Sequence, residues 1–315
     1  MRYINELRDG ENVSEIYLCK QSQTLKTKTG KSYMALSLQD RTGNLDAKIW
    51  ELGPAIRNFE AMDYVKVEGQ ITTFQNNLQL NVRTIRKADT GEYDVTDYMP
   101  ASKRDLKEMY AELTKYIDSV KEPHLKAVLQ LVFSDKELTK KFVNHSAAKA
   151  IHHAFIGGLL EHTLGVTKMC DLIAGSYPML NRDLLVTAAI FHDIGKLFEI
   201  STFPENDYTD EGNLLGHIFL GAEYLGKKIE EVPHFPQKLA AELRHCILAH
   251  HGELEFGSPK KPAIAEALAL SMADNLDAKM ETLKELFATG ENANGAWLGY
   301  QKLFDSNIRA TSKQS

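Results

Sequence analysis

Five separated stretches of the chain carry, in order, His162, the adjacent pair His192-Asp193, His217, the pair His250-His251, and Asp274. Imidazole and carboxylate together suit borderline and harder divalent ions, so an ordered series of these side chains is most simply explained by metal. The spacing predicts helices beneath nearly all of them. Ile156, Leu159, Leu160, Val166, Met169 and Cys170 recur at helical spacing, and His162 stands three residues after Leu159 and four before Val166, on the inward side. The apolar run 184–191 leads into His192-Asp193-Ile194-Gly195-Lys196, where Gly195 is expected to end the helix and Lys196 sets a cation one turn from His192. His217 lies between Leu214 and Leu220, His250 follows Cys246 and Ile247 on a segment that stops at Gly252, and Asp274 follows Leu270 in an apolar helix over 263–278. Any one of these histidines alone reads as an ordinary core or surface side chain. The ordered set does not.

With HDIGK at its centre, this series resembles the HD superfamily of metal-dependent phosphohydrolases over roughly residues 125–290. The HD dipeptide is a weak signal and the ordered set a strong one. By position, the resemblance implies a first metal site made by His162, His192, Asp193 and Asp274. Asp193 then bridges to a second ion completed by His217 and His250, with His251 either sharing that site or acting as an outer donor. Two ions would clamp the attacking and leaving oxygens of an in-line phosphoryl displacement and activate water, so no amino-acid nucleophile is required. Asp193 and Lys196 are the expected catalytic residues, Lys196 neutralising the scissile phosphate. Lys260 and Lys261, in GSPKKP, are further candidates for nucleic-acid contact, with a solvated loop as the equal alternative. Manganese is the expected ion, with cobalt, iron or nickel as substitutes.

Other chemistries find little support. The chain has no HExxH, P-loop or GxGxxG, and Cys19, Cys170 and Cys246 form no CxxC pair, which argues against zinc ribbons and disulfide frameworks. The opening MRYINELRDGEN is too polar for a signal peptide, and no apolar run approaches the roughly 20 residues of a membrane helix. The expectation is a cytoplasmic protein working in a reducing compartment, with no membrane partner.

The elements that must position these residues begin only after the first third. At 315 residues, 43% hydrophobic and 25% charged, the chain suits two folded domains. Up to about residue 90, short alternating runs (15–20, 32–39, 46–50, 63–73 and 78–85) are punctuated by turn residues, which predicts five strands in a small barrel. SYMALSLQDRTGNLDAKIW followed by DYVKVEGQITTFQNNLQLNV resembles the OB-fold of the anticodon-binding type. Such barrels bind oligonucleotides by stacking bases on aromatics and tracking the backbone with cations. Tyr33, Trp50 and Phe74 are the candidate platforms, barrel packing being the plainer reading for each. Residues 12–90 hold 11 Lys and Arg against 8 Asp and Glu in a chain of net charge −6. Lys26, Lys28 and Lys31 cluster in one predicted hairpin, a basic finger able to follow a phosphate backbone, or else a solvated turn.

The expected organisation is an OB-fold nucleic-acid-binding domain over 1–90, a linker and connecting helix over 91–124, an all-α HD-domain helical bundle over 125–290, and a C-terminal tail over 291–315. The stripe Leu106, Met109, Tyr110, Leu113, Tyr116, Ile117 and Val120, and the tail residues Trp297, Leu298, Tyr300, Leu303 and Phe304, offer surface for packing on the bundle or on a second copy in a homo-oligomer.

An OB barrel ahead of GGLLEHT, FHDIGK, AHHGE and SMADNLDAK in this order resembles the YhaM family of bacterial 3′-to-5′ exoribonucleases over nearly the whole chain. The resemblance implies release of nucleoside 5′-monophosphates from single-stranded RNA, with single-stranded DNA as a second substrate. The residues alone support metal-assisted phosphoester hydrolysis in one domain and single-strand binding in the other. Two alternatives stand beside it. One is an HD-type nucleotide or cyclic-dinucleotide phosphodiesterase, disfavoured by Gly158 where three-metal relatives supply Glu and by the lack of a GYP signature. The other is a non-catalytic single-strand-binding protein with structural metals, disfavoured by the complete ligand set and Lys196.

Overall fold

A computed structural model describes residues 1–27, 29–74, 77–99, 101–148, 155–289 and 295–312, so Lys28 lies outside the described residues. The chain divides into two compact units, 1–101 and 102–315.

In the first unit, β1 (Asn12–Lys26), β2 (Ser32–Asp40), β3 (Gly43–Ile49), β4 (Tyr64–Phe74) and β5 (Asn77–Lys87) close a barrel in the order β1-β2-β3-β5-β4. Closure leaves no open sheet edge. The expected five-stranded barrel is what forms, its interior filled by alternate residues such as Tyr17, Leu38, Leu45, Val67, Ile71 and Leu80. β1 is much longer than the alternation suggests. Its first half pairs with β4 from Asn12 to Leu18 and its second half with β2 from Leu18 to Lys26, with a register shift between Cys19 and Gln21. A bulge there bends one strand so that it serves both neighbours. The second half is polar and exposed, which hid it from the apolar pattern.

The turn between β2 and β3 shows why the Asp-x-Thr-Gly sequence stands where it does. Asp40, 2% exposed, accepts from the Thr42 amide (2.7 Å), the Thr42 hydroxyl (2.6 Å) and the Gly43 amide (3.2 Å) through one oxygen. Its other oxygen accepts from the Ile4 amide at 2.5 Å, tying the N-terminal turn to the barrel. The stretch after β5, read above as a linker, belongs to this unit. Tyr93 stacks on Tyr64 at 4.0 Å, Tyr98 is buried edge-on to the same ring at 4.9 Å, and the Gln39 amide donates to the Tyr98 carbonyl. Polar composition concealed two packing tyrosines, and this compact unit runs to residue 101.

The second unit is helical: α1 (Leu106–Ser119), α2 (Pro123–Phe133), α3 (Lys136–Asn144), α4 (Gly158–Ser176), α5 (Arg182–Phe191), α6 (Lys196–Glu199), α7 (Asp210–Glu230), α8 (Gln237–Ala249) and α9 (Ala265–Thr289). Side-chain caps start several of them: Asp105, Asp135, Asn181 and Thr209 each accept from amides of the first turn, and Pro123 occupies the first turn of α2. The α5 run Leu184–Phe191 is buried on every side, which makes it the central helix. Leu113, Leu129, Phe142, Leu160, Leu243 and Leu270 belong to the same buried core. Of the α1 stripe, Met109, Leu113, Ile117 and Val120 are buried in this core, and Leu106, Tyr110 and Tyr116 pack against it partly buried. The tail forms a small hairpin of β6 (Trp297–Gln301) and β7 (Ser306–Arg309), with Trp297 and Tyr300 exposed rather than docked. Among the described residues no helix is long and apolar enough to cross a membrane.

Asp40→Ala strips four donors of their acceptor, three of them amides including the buried one of Ile4, and should destabilise the barrel by about 3 kcal/mol. Urea unfolding followed by Trp50 fluorescence in a Trp297→Phe background reads this directly. A shift below about 0.5 kcal/mol, the usual range for a neutral surface change, would remove the turn from the account.

Candidate metal centre

Six helices or their ends deliver the side chains of this centre. His162 projects from α4, and the fully buried α5 hands on at its C-terminus to His192 and Asp193, which are 0% and 2% exposed. Gly195 does not terminate α5, which ends at Phe191; its backbone is right-handed helical and caps α6. The reason for glycine there is close packing, because a Cβ at Gly195 would stand 2.0 Å from the His217 carbonyl. His217 follows a break inside α7 at Gly216, whose φ of +72° and ψ of 156° suit glycine alone. His250 and His251 end α8, and Asp274 comes from α9.

The two oxygens of Asp193 face two different groups. His162 Nε2 and His192 Nε2 each lie 3.4 Å from Asp193 Oδ2, and 3.1 Å from one another. Asp274 Oδ1 completes this side, 3.2 Å from His162 Nε2 and 3.8 Å from His192 Nε2. On the other side, His217 Nε2 and His250 Nε2 lie 3.5 and 3.7 Å from Asp193 Oδ1. The His251 ring packs edge-on to His250 at 4.4 Å, and ligand atoms of His217, His250 and His251 fall within 4.8 Å of one another. Among the described residues, Asp193 Oδ1, His217 Nε2 and His250 Nε2 are buried without a hydrogen-bond partner. Each such atom costs about 1–3 kcal/mol unless something meets it.

The outward nitrogens explain the aim of the inward ones. The Nδ1 atoms of His192, His250 and His251 each lie 2.7 Å from a backbone carbonyl, those of Ala189, Ile247 and Phe256. Those of His162 and His217 meet carboxylates instead, Asp277 at 2.7 Å and Glu199 at 3.0 Å. Carbonyl and carboxylate only accept, so each Nδ1 carries a proton and each Nε2 is turned toward the centre. A nitrogen-rich donor set with two carboxylates, and buried inward atoms lacking partners, fits divalent metal of borderline character.

The charges agree with this. Burial works against ionised Asp193, yet the Lys196 ammonium at 2.6 Å and His192 hold its carboxyl well below the usual range. Burial likewise opposes charge on Asp274, and His162 and His192 outweigh it. For His162 the burial penalty is overcome by Asp193, Asp274 and Asp277, which raise it well above the ordinary imidazole value. Burial keeps His250 and His251 below the ordinary value, and therefore neutral and able to ligate near pH 7.

All seven residues expected at the metals come together, with Lys196 beside them. Lys260 and Lys261 do not join: both are exposed, and Lys261 pairs with Glu253 at 2.5 Å. On the barrel, Tyr33 and Trp50 stack at 4.9 Å, with the Lys48 ammonium 5.7 Å above Tyr33 and the Trp50 indole donating to Asn81. Phe74 stands 60% exposed at the end of β4. Lys26 and Lys31 flank the β1–β2 turn, exposed, Lys31 within 3.9 Å of Glu51. Four residues escaped the sequence reading. Lys48 and Asn81 needed the register of β3 on β5, whereas Asp277, one turn beyond Asp274 in DNLDAK, could have been found from spacing. Glu199 lies in a four-residue helix, too short to show periodicity.

Residues 159–279 match the HD domain family. The OB-fold of the second such domain in replication protein A from Methanococcus maripaludis aligns with 29% of this chain and 98% of its own, at 18% identity and a TM-score of 0.24. The HD domain of the L. monocytogenes phosphodiesterase PgpH aligns with 50% of this chain and 76% of its own, at 19% identity and a TM-score of 0.32. Sequence similarity reaches further: over 273 residues the chain is 37% identical to the 3′-5′ exoribonuclease YhaM of Bacillus velezensis, covering 86% of each protein. Identity of that degree, spanning barrel and HD domain alike, makes this chain a member of the YhaM family.

Proposed function

We propose that this protein is a metal-dependent 3′-to-5′ exoribonuclease that trims single-stranded RNA, and single-stranded DNA as a second substrate, releasing nucleoside 5′-monophosphates. The observation that carries the reading is the division of Asp193 between two groups of inward-turned imidazoles, with three buried ligand atoms left without hydrogen bonds. Family membership supports the exonucleolytic polarity and the RNA substrate.

His162, His192, Asp193 and Asp274 would hold one ion, and Asp193, His217, His250 and His251 the other, manganese being the best suited. Bound there, a pair of divalent ions supplies Lewis-acid stabilisation of an in-line displacement at phosphorus and lowers the pKa of water. The chain's own part is to orient and to exclude. Asp193 fixes the spacing of the two ligand groups. Lys196, only 16% exposed, shares its ammonium between Asp193 and the scissile phosphate, where it offsets charge that grows in the transition state. The apolar faces of α4, α5 and α8 wall the ligands off from bulk water.

On the barrel, the Tyr33–Trp50 stack with Lys48 above it is a platform for bases, and Lys26 and Lys31 follow the phosphates. Phe74 and Lys28 are kept as further contacts of the same kind. We place the enzyme in the cytoplasm, in keeping with three cysteines that are all free and buried.

Asp193→Asn should abolish release of mononucleotides from a labelled oligoribonucleotide while leaving its binding intact; near-normal turnover by that variant would break the two-ion reading. Lys196→Ala should lower kcat by at least tenfold, about 1.4 kcal/mol of transition-state stabilisation, and an unchanged rate in a folded variant returns Lys196 to a structural role. Trp50→Ala should weaken single-strand binding by about 1–3 kcal/mol without slowing hydrolysis of a small chromogenic phosphodiester. Equal affinity for long RNA before and after that change would place the binding elsewhere.

A further inference from the structure

We propose that Glu199 is the positioning residue of the second ion site, setting how tightly that site fills; this rests on the two-ion reading above. Its carboxylate, 11% exposed, accepts twice from one residue: His217 Nδ1 and the His217 backbone amide each lie 3.0 Å from Oε1. The second bond needs an amide that no helix has already claimed. The break at Gly216 provides it, because the backbone there leaves helical geometry just before His217.

Glu199 is itself held on several sides. Its carbonyl accepts from the Thr209 amide at 2.9 Å, so the end of α6 is strapped to the start of α7. The Lys141 ammonium hydrogen-bonds the Leu197 carbonyl, and His145 Nε2 lies 3.1 Å from the carbonyl of Ile200, the next residue along. A carboxylate fixed in this way permits one His217 tautomer. Nδ1 keeps the proton, and Nε2 faces Asp193 Oδ1 at 3.5 Å with its lone pair inward.

The distribution of such backing is uneven, and this gives the proposal its content. Among the described residues of the second group, only His217 leans on a carboxylate; His250 and His251 lean on neutral carbonyls. In the first group the same is true of His162 with Asp277, and His192 leans on a carbonyl. Each proposed ion site therefore has one histidine with a full negative charge behind it, which favours a cation at its inward nitrogen. The first site also has Asp274, which the second lacks. The second site depends more on its single anionic support, so loss of Glu199 should empty it selectively.

Manganese titration of the metal-free full-length chain, read by calorimetry and by electron paramagnetic resonance, tests this in wild type, Glu199→Ala, Glu199→Gln and Asp277→Asn. Wild type should take up two ions. Glu199→Ala should raise the Kd of the second ion tenfold to a hundredfold and leave the first unchanged. Glu199→Gln retains an acceptor without the charge and should fall between them, which keeps the test alive if the alanine variant does not fold. Asp277→Asn should weaken the first ion instead. In metal-free protein, nitrogen-15 spectra should show His217 protonated at Nδ1 in wild type and in mixed tautomers in Glu199→Ala. Unchanged affinities in the Glu199 variants, an equal loss of both ions, or an unaltered tautomer would overturn the role of Glu199 while leaving the two-ion reading standing. A wild type that binds one ion would overturn that reading, and this assignment with it.

Discussion

A carboxylate sealed from water in the middle of four imidazoles is the constraint on which the helical unit turns. Asp193 is 2% exposed and lies within 3.7 Å of ring nitrogens from His162, His192, His217 and His250. Burying a charge there is costly unless opposite charge and hydrogen bonds surround it. Lys196 supplies one cation at 2.6 Å, and the inward-turned nitrogens mark places for others. Much of the local backbone serves this arrangement. α5 is apolar on every face so that its end can sit in the middle of the unit, and Gly195 lets α7 approach until His217 comes within reach.

The histidines are aimed from behind. Every imidazole at the centre has its Nδ1 on an acceptor, and those acceptors come from four different helices or the loops that follow them. This is cheap where the acceptor is a carbonyl already present at a helix end, as for His192 and His250. It is more demanding for His162 and His217, where a second acidic side chain must itself be held. The two kinds of support separate residues that present a ligand from residues that also adjust its strength.

Much of this was legible in the sequence, for a physical reason. Histidine and aspartate at inward positions of apolar helices are chemically conspicuous, so the inward aim of His162, His192, His217, His250 and Asp274 could be read from helical spacing, while their grouping into sites came from the family resemblance. The residues that orient them could not. Glu199 and Asp277 look like ordinary helical acids until the fold brings them to Nδ1. In the barrel, alternation revealed five strands but not the polar second half of β1, which is held to β2 by the backbone ladder of a hairpin rather than by apolar burial. The stretch over 91–101 hides buried Tyr98 and half-buried Tyr93 in a polar segment, while the α1 stripe turns Met109, Leu113, Ile117 and Val120 into the core of its own bundle, one of the two uses its pattern allowed. Composition reports what a segment is made of, and packing decides which neighbour uses it.

Anomalous diffraction at the manganese edge, from crystals grown with the ion, tests the central claim most directly. The account predicts two peaks on either side of Asp193, one against His162, His192 and Asp274, the other against His217 and His250. A single peak, or two that do not share Asp193, would contradict it.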